Sequence, residues 1–212
     1  MPDRVGQQAL PASAPASLDA AVRELHLGTV VAIPTETVYG LAVLPNDAAL
    51  ERLIGAKRRS ADKGVALLVD SIEQVRAVAV LSPVAEMLAD RFWPGTLTLV
   101  LPVRPDRRLP DLLTGGRTTI GVRLPDHAVP RQLARRLGPI AVSSANLSGE
   151  RDARTAQQVV ATLGADIALV LDDGPVRGGV PSTVVACLDD GSLQILREGA
   201  ISEADVRAAA RK

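Results

Sequence analysis

The sequence predicts an α/β domain built on a mixed sheet, and three observations support this. Short runs of β-branched residues alternate with amphipathic segments through most of the chain. Residues 96–101 alternate with period two, as expected of a half-exposed strand. With 212 residues, 47% of them hydrophobic, the chain can bury a sizeable core. We expect one domain over residues 17–212, after a disordered tail of residues 1–16 that shows no periodicity.

The order of the elements follows from capping residues and apolar runs. Ser17 and Asp47 are expected to cap the first two helices, and residues 104–117 form the longest irregular segment. The predicted helices are 18–27, 47–57, 127–137 and those opening near residues 71, 82, 155 and 202. The predicted strands are 29–33, 65–69, 96–101, 118–124, 139–143, 167–171, 182–187 and 193–196.

The stretch PTETVYGL, residues 34–41, follows the first predicted strand. Pro34 ends that strand because proline has no N–H for the ladder. Ligands of open α/β sheets usually bind at the carboxyl ends of strands, so Thr35 and its polar neighbours are a candidate pocket wall. The alternative is an ordinary connection to the next helix, capped by Thr37 or Asp47.

The charge and residue composition exclude several classes of protein. Lys plus Arg equals Asp plus Glu, 24 each, so no global field concentrates nucleic acid. Aromatic residues make up 1% of the chain, which argues against a single-strand binder built on stacked rings. The single cysteine, Cys187, excludes an intrachain disulfide and a thiolate zinc site and is expected in the core. His26 and His127 lack a second ligand at metal spacing, so no protein-bound metal is expected.

The location of the protein is also constrained by the sequence. No apolar run approaches the roughly 20 residues that a membrane-spanning helix needs. The N-terminus has no basic segment followed by an apolar one, so we expect no secretion signal and a cytoplasmic protein.

A cationic loop over residues 57–64 is the first candidate for binding phosphate. The sequence has no Walker-type loop and no dinucleotide fingerprint, so side chains would have to hold a nucleotide's phosphates. Lys57 and Arg59 are one residue apart and point the same way if the chain is extended there. Two of the three lysines in the chain, Lys57 and Lys63, flank this loop, and Lys63 is a further candidate phosphate contact. The alternative is a solvated surface loop.

Polar clusters and arginines follow other predicted strands. Ser143, Ser144 and Asn146 come after one strand and Ser182 stands at the head of another, either as site residues or as turn chemistry. An arginine near a strand end is costly unless it is paired, so a carboxylate or an anionic substrate group is expected at two positions: Arg123 and Arg197. Basic stretches at 104–108 and 131–136 are interpreted as solvated surface, with RNA contact as the alternative.

Taken together, these segments resemble the YrdC family of threonylcarbamoyl-AMP synthases, which begin the threonylcarbamoyladenosine modification of transfer RNA. The matching motifs are PTETVYGL at 34–41, Lys57-x-Arg59, FWPGTLT at 92–98, GVRLP at 121–125, SANLSG at 144–149, STV at 182–184 and Arg197-x-Gly199. Each motif alone is weak, but their joint order and spacing are highly specific, and the chain is most similar to the short, single-domain members.

The resemblance implies a twisted α/β sheet with a concave positive cavity. It also implies the reaction of L-threonine, bicarbonate and ATP to L-threonylcarbamoyladenylate and pyrophosphate, with Mg²⁺ arriving on ATP and with downstream tRNA threonylcarbamoyl-transferase proteins as partners. Lys57 and Arg59 would be catalytic and would bind the nucleotide. The other implied nucleotide-binding residues are Ser144, Asn146 and Arg197, and those around threonine and its carbamate are Thr35, Thr119, Arg123, Ser143 and Ser182.

This chain departs from the family pattern at several positions. Ser60, Leu68 and Pro181 stand where many members have proline, histidine and glutamate, and Leu68 matters most because that histidine can contact threonine. A non-catalytic member of the fold that binds double-stranded or ribosomal RNA is the alternative function. The related carbamoyl-adenylate chemistry of hydrogenase maturation occurs in a longer chain with zinc-binding cysteines, which this chain lacks.

Overall fold

The computed structural model describes residues 9–188 and 191–211. Within them the strands are β1 Ala9–Pro11, β2 Val31–Ile33, β3 Gly40–Val43, β4 Ala66–Leu68, β5 Leu97–Pro102, β6 Thr119–Arg123, β7 Ile140–Ser144, β8 Leu169–Asp172, β9 Thr183–Cys187 and β10 Leu193–Arg197. The helices are α1 Pro15–His26, α2 Asp47–Lys57, α3 Ile72–Val78, α4 Pro83–Phe92, α5 Asp111–Thr114, α6 Ala128–Leu137, α7 Ala156–Leu163 and α8 Glu203–Ala209, with a 3₁₀ turn at Gly164–Asp166.

The described strands form one mixed sheet in the order β1-β8-β2-β3-β7-β4-β6-β5-β9-β10. Four pairs are parallel: β1 with β8, β8 with β2, β4 with β6, and β5 with β9. The other neighbours are antiparallel. The predicted α/β domain with a mixed sheet is therefore confirmed.

Side chains that alternate along the strands build a separate core on each face of the sheet. In β7, Ala141 packs into the larger core with α2, α4 and α7, while Ile140 and Val142 pack into the smaller one with α1 and α6. On β5, Leu97, Leu99 and Leu101 belong to the larger core. The residues between them face the opposite side, and there Thr98 and Val100 line a cavity. This arrangement makes one face of β5 and its neighbours the floor of a candidate site.

Several sequence predictions are corrected by the described part of the chain. The predicted tail is wrong for residues 9–16, because β1 pairs with β8 and α1 already begins at Pro15, not after a Ser17 cap. Residues 1–8 of that tail lie outside the described residues. Asn46 rather than Asp47 caps α2, accepting a hydrogen bond from the Ala49 N–H at 3.0 Å. β1, β3 and the short helix α5 were not predicted from the sequence.

No helix among the described residues combines the length and hydropathy that a membrane crossing requires.

Candidate functional site

A cavity of about 580 Å³ opens on the sheet face opposite the larger core. Its floor comes from β4, β6, β5 and β9, and its walls come from the loops that follow β2, α2 and β7. The polar side chains lining it are Thr35, Thr37, Tyr39, Arg59, Thr98, Thr114, Arg117, Thr119, Arg123, Ser143, Ser144, Asp152, Ser182, Gln194 and Arg197. Four arginines against one carboxylate make its described lining electropositive.

Lys57 lies just behind this lining, at the end of α2. The next residue, Arg58, closes the helix in the left-handed conformation (φ 48°), so the segment is not extended and the prediction that Lys57 and Arg59 point the same way has no basis. The Lys57 side chain is 1% exposed, and its ammonium donates to the Ser144 carbonyl, to the Asn146 carbonyl at 2.8 Å and to Asn146 Oδ1 at 3.0 Å. Burial, and secondarily the charge of Arg59, lowers the pKa of Lys57 to about 8.

The loop after β7 is therefore organised around a buried ammonium. The Ser144 hydroxyl donates to Asn146 Oδ1 at 2.6 Å, and the Asn146 amide donates to the Glu150 carbonyl at 2.8 Å. Lys57 has three N–H groups and three acceptors, so its hydrogen-bonding capacity is filled by this loop. The result is a hydrogen-bonded turn that presents Ser144 at the cavity wall.

Arg59, in the loop after α2, lines the same cavity. Its Nε donates to the Lys63 carbonyl at 3.2 Å, one terminal nitrogen donates to the Gly64 carbonyl at 2.9 Å, and the other lies 3.5 Å from the Ser143 hydroxyl. Burial and the nearby Arg197 lower the pKa of Arg59. The Lys63 side chain is exposed and does not line the cavity, so Lys63 helps to hold Arg59 through its carbonyl and adds no charge to the lining.

Arg123, at the end of β6, is buried at the bottom of the cavity. It donates to the Thr37 hydroxyl at 3.0 Å, and its other terminal nitrogen lies 3.8 Å from Glu36 Oε2, beyond hydrogen-bonding distance. Glu36 is thus the carboxylate partner expected from the sequence, and it interacts with Arg123 through its charge and without a direct hydrogen bond. Thr35 holds this wall together, because its hydroxyl donates to the Val38 carbonyl at 2.6 Å and accepts from the N–H groups of Thr37 and Val38.

The third wall lies where β9 runs between β5 and β10. The Ser182 hydroxyl is 2.8 Å from that of Thr98, and Arg197 donates twice to the Ser182 carbonyl, at 3.2 and 2.8 Å. Burial lowers the pKa of Arg197, while Asp152 raises it in part. Cys187 is buried at this end, as expected, and burial raises the pKa of its thiol to about 11, so it remains protonated at neutral pH.

Most of the residues singled out from the sequence meet in this cavity. The lining includes Thr35, Arg59, Thr119, Arg123, Ser143, Ser144, Ser182 and Arg197. Lys57 and Asn146 support it from behind, and the Lys63 side chain lies outside it. Sequence reasoning missed Thr98, Arg117 and Asp152 as site residues. The period-two alternation of β5 was a usable signal for Thr98, because alternate residues share a face.

Comparison with known proteins gives a consistent result. The family model Sua5_yciO_yrdC, described as telomere recombination, matches residues 23–199. The chain is 42% identical over 187 residues to the threonylcarbamoyl-AMP synthase of Bacillus subtilis, covering 87% of this chain and 54% of that protein. It is 37% identical over 188 residues to the enzyme of that name from Vibrio vulnificus, covering 86% of this chain and 98% of that protein.

A solved structure shares the fold. P. abyssi Sua5 complexed with L-threonine superposes with a TM-score of 0.84 at 37% identity, covering 91% of this chain and 56% of that one. The chain thus spans about half the length of the longer relatives it matches. The family match extends from α1 to the segment after β10 and includes every cavity residue described above. The resemblance found in the sequence is confirmed, and this chain belongs to the Sua5/YciO/YrdC family.

Proposed function

We propose that this protein is an L-threonylcarbamoyladenylate synthase, which makes threonylcarbamoyl-AMP and pyrophosphate from L-threonine, bicarbonate and ATP. The observation that carries the proposal is the cavity, where four arginine side chains and several hydroxyls converge on one sheet face. Relatives named threonylcarbamoyl-AMP synthase, and a relative bound to L-threonine, support the assignment.

The two ends of the cavity suit different parts of the reactants. Arg59, with the Ser144–Asn146 turn tied by Lys57, provides donors suited to phosphate oxygens, because guanidinium binds them as a planar fork. Arg123, which lines the cavity together with Thr35 and Ser182, is suited to the carboxylate of an amino acid, and the two hydroxyls are suited to its polar groups. Arg197 lies between them through its bonds to Ser182 and would also contact the nucleotide.

The chemistry asks for positioning more than for acid or base catalysis. The threonine amine attacks the carbon derived from bicarbonate, a carbamate forms and water is lost. A carbamate oxygen then attacks the α-phosphorus of ATP, the bond between the α-phosphorus and its bridging oxygen breaks, and pyrophosphate leaves. The arginines would hold the reactants in line and offset the charge on the phosphates.

Magnesium would enter with ATP as part of the substrate. The described residues contain no group of three or more carboxylate, histidine or cysteine ligands that could hold a metal, but the Asp152 carboxylate lines the cavity and is a suitable oxygen donor. Bound Mg²⁺ would neutralise phosphate charge and favour departure of pyrophosphate.

An RNA-binding role has weaker support. Two arginines of the basic helix, Arg131 and Arg135, pair with Asp70, and Arg136 pairs with Asp19, so these charges are partly neutralised within the protein. The product would pass to a tRNA threonylcarbamoyl-transferase, and we expect the reaction to take place in the cytoplasm. Direct RNA contact by this chain would be weak.

The test is pyrophosphate release from ATP with L-threonine, L-serine or no amino acid, each with and without bicarbonate. We expect release to require bicarbonate and an amino acid, to be fastest with threonine, and to yield an adenylate detectable by mass spectrometry. One methyl group changes binding by only about 1 to 3 kcal/mol, so serine should support slower release. Binding of ATP without any release would contradict the synthase and favour a repurposed pocket.

A further inference from the structure

Asp152 is unusual among the cavity residues. Within residues 9–188 and 191–211 it is the one carboxylate in the lining, where four arginines also lie. None of the hydrogen bonds or ion pairs found in the described structure involves its carboxylate oxygens. Its negative charge acts instead at longer range, where it raises the pKa of Lys57 and of Arg197. The proposed mechanism gives this carboxylate no role in holding threonine or phosphate.

The position of Asp152 is fixed by the main chain around it. The Asn146 amide donates to the Glu150 carbonyl at 2.8 Å, and the Tyr39 N–H donates to the Ala153 carbonyl at 3.0 Å. One anchor belongs to the turn that Lys57 organises, and the other belongs to the PTETVYGL segment. The loop of residues 150–153 is thus tied to both sides of the site, which holds the side chain of Asp152 at the cavity wall.

The carboxylate of Asp152 on the cavity wall opposes the binding of phosphate groups that carry no metal ion. Its charge acts on Lys57, which supports the proposed nucleotide end of the cavity, and on Arg197, which would also contact the nucleotide. A polyanion that enters there meets a like charge, and the repulsion is relieved when a divalent cation lies between the two. The described residues hold no group of three or more carboxylate, histidine or cysteine ligands, so we expect the cation to arrive on the phosphates.

We propose that Asp152 contacts the magnesium ion of bound MgATP, directly or through one of its waters, and so makes the site select the metal-bound nucleotide. This inference rests on the proposed function, since it requires ATP in the cavity. Mg²⁺ is commonly held by one or two carboxylates together with substrate phosphates, which is the ligand set this arrangement supplies. Asp152 would therefore influence whether MgATP or metal-free ATP binds, while other residues of the cavity would hold threonine.

The test is a calorimetric titration of ATP into the full chain, without threonine or bicarbonate, in excess Mg²⁺ and again in EDTA. The proteins are the wild type, Asp152→Asn and Glu150→Gln. Glu150 is the matched control, because its exposed side chain lies in the same loop but not on the cavity. A further titration with Mg²⁺ alone should show no binding to any of the three.

We expect the wild type to bind MgATP more tightly than metal-free ATP. Asp152→Asn should reduce this preference on the order of tenfold, with metal-free ATP bound as well as before or better, because a repelling charge is gone. Glu150→Gln should keep the wild-type preference. A parallel loss for both forms in Asp152→Asn would overturn the proposal and assign the carboxylate to the nucleoside itself. An unchanged preference would also overturn it, whereas absence of any ATP binding by the wild type would overturn the proposed function first.

Discussion

Lys57 is bonded twice to Asn146, through the main-chain oxygen at 2.8 Å and through Oδ1 at 3.0 Å. These residues are far apart in sequence, and the two bonds join the end of α2 to the turn after β7. Both elements lead into the cavity, Arg59 from one side and Ser144 from the other. The geometry of the cavity end that Arg59 and Ser144 form therefore depends on one buried ammonium.

The first prediction concerns the activity of Lys57→Met. The variant keeps an unbranched side chain but leaves the Ser144 and Asn146 carbonyls without their donor, so the turn loses its fixed shape. We expect pyrophosphate release to fall at least about a hundredfold, the usual scale for loss of one preorganised charged group. Lys63→Met, which removes an exposed lysine from the same loop, should change turnover little. Wild-type turnover in Lys57→Met would remove Lys57 from the mechanism.

The second prediction concerns pH and the same lysine. Its pKa is about 8 in the folded protein, against an ordinary value of 10.5. Between these values the unfolded chain binds more protons than the folded one, so Lys57 makes the free energy of unfolding increase with pH. Wild type should therefore gain stability relative to Lys57→Met between about pH 8 and about pH 10.5. Urea unfolding of both proteins at several pH values in this window measures the difference between their free energies of unfolding. The contributions of other titrating groups cancel in this difference. A constant difference would show that burial does not depress this pKa.

The third prediction concerns recognition of the amino acid by Arg123. Lysine at this position keeps the charge but loses the planar fork that Thr37 orients, so a carboxylate is held by fewer bonds. For Arg123→Lys we expect the KM for threonine to rise at least about tenfold while the KM for ATP changes much less. Arg135→Lys on α6 is the control, because that exposed arginine pairs with Asp70 outside the cavity. Equal changes in both KM values would contradict the assignment of Arg123 to threonine.

The fourth prediction uses two glycines with opposite surroundings. A Cβ on Gly199 would lie 2.2 Å from the Pro181 carbonyl oxygen, a main-chain atom that cannot move aside cheaply. Gly199→Ala should lower the free energy of unfolding by about 1 to 3 kcal/mol and displace Ser182 and Arg197. Gly55, inside α2, has nothing within 4 Å of such a Cβ, so Gly55→Ala should stabilise by about 0.5 to 1 kcal/mol. Denaturant unfolding measures the change in free energy of unfolding for both variants. An unchanged value for Gly199→Ala would contradict the predicted clash with the Pro181 carbonyl oxygen.

The sequence alone predicted the elements with strong local patterns, because capping residues and apolar runs act over a few neighbours. It did not predict β1, a strand of three residues whose pairing with β8 is set by contacts far along the chain. Nor did it predict β3, since Gly40–Val43 completes a motif interpreted as a loop. In both cases the sheet, rather than local preference, determines the strand.

The same distinction applies to the site: some of its residues could be predicted from local sequence, whereas others are positioned by contacts with distant parts of the chain. Residues at strand ends were found because the carboxyl edge of a sheet gathers polar groups. The direction of Arg59 relative to Lys57 was not predictable, because it depends on Arg58 adopting a left-handed conformation that sequence rarely signals outside glycine. Asp152 was missed because its loop has no periodicity, and its place is fixed by Asn146 and Tyr39.

The strand order has a consequence for how the chain reaches its native state. β8, made late, inserts between β1 and β2, which are made early, and β9 pairs with β5 across more than one helix of intervening chain. Neither half of the sequence can complete its part of the sheet alone, and such distant pairing makes folding slow. During synthesis, β1 and the edge of β2 that pairs with β8 would stay unpaired until residues 169–172 emerge, and unpaired strand edges of this kind promote aggregation of the nascent chain.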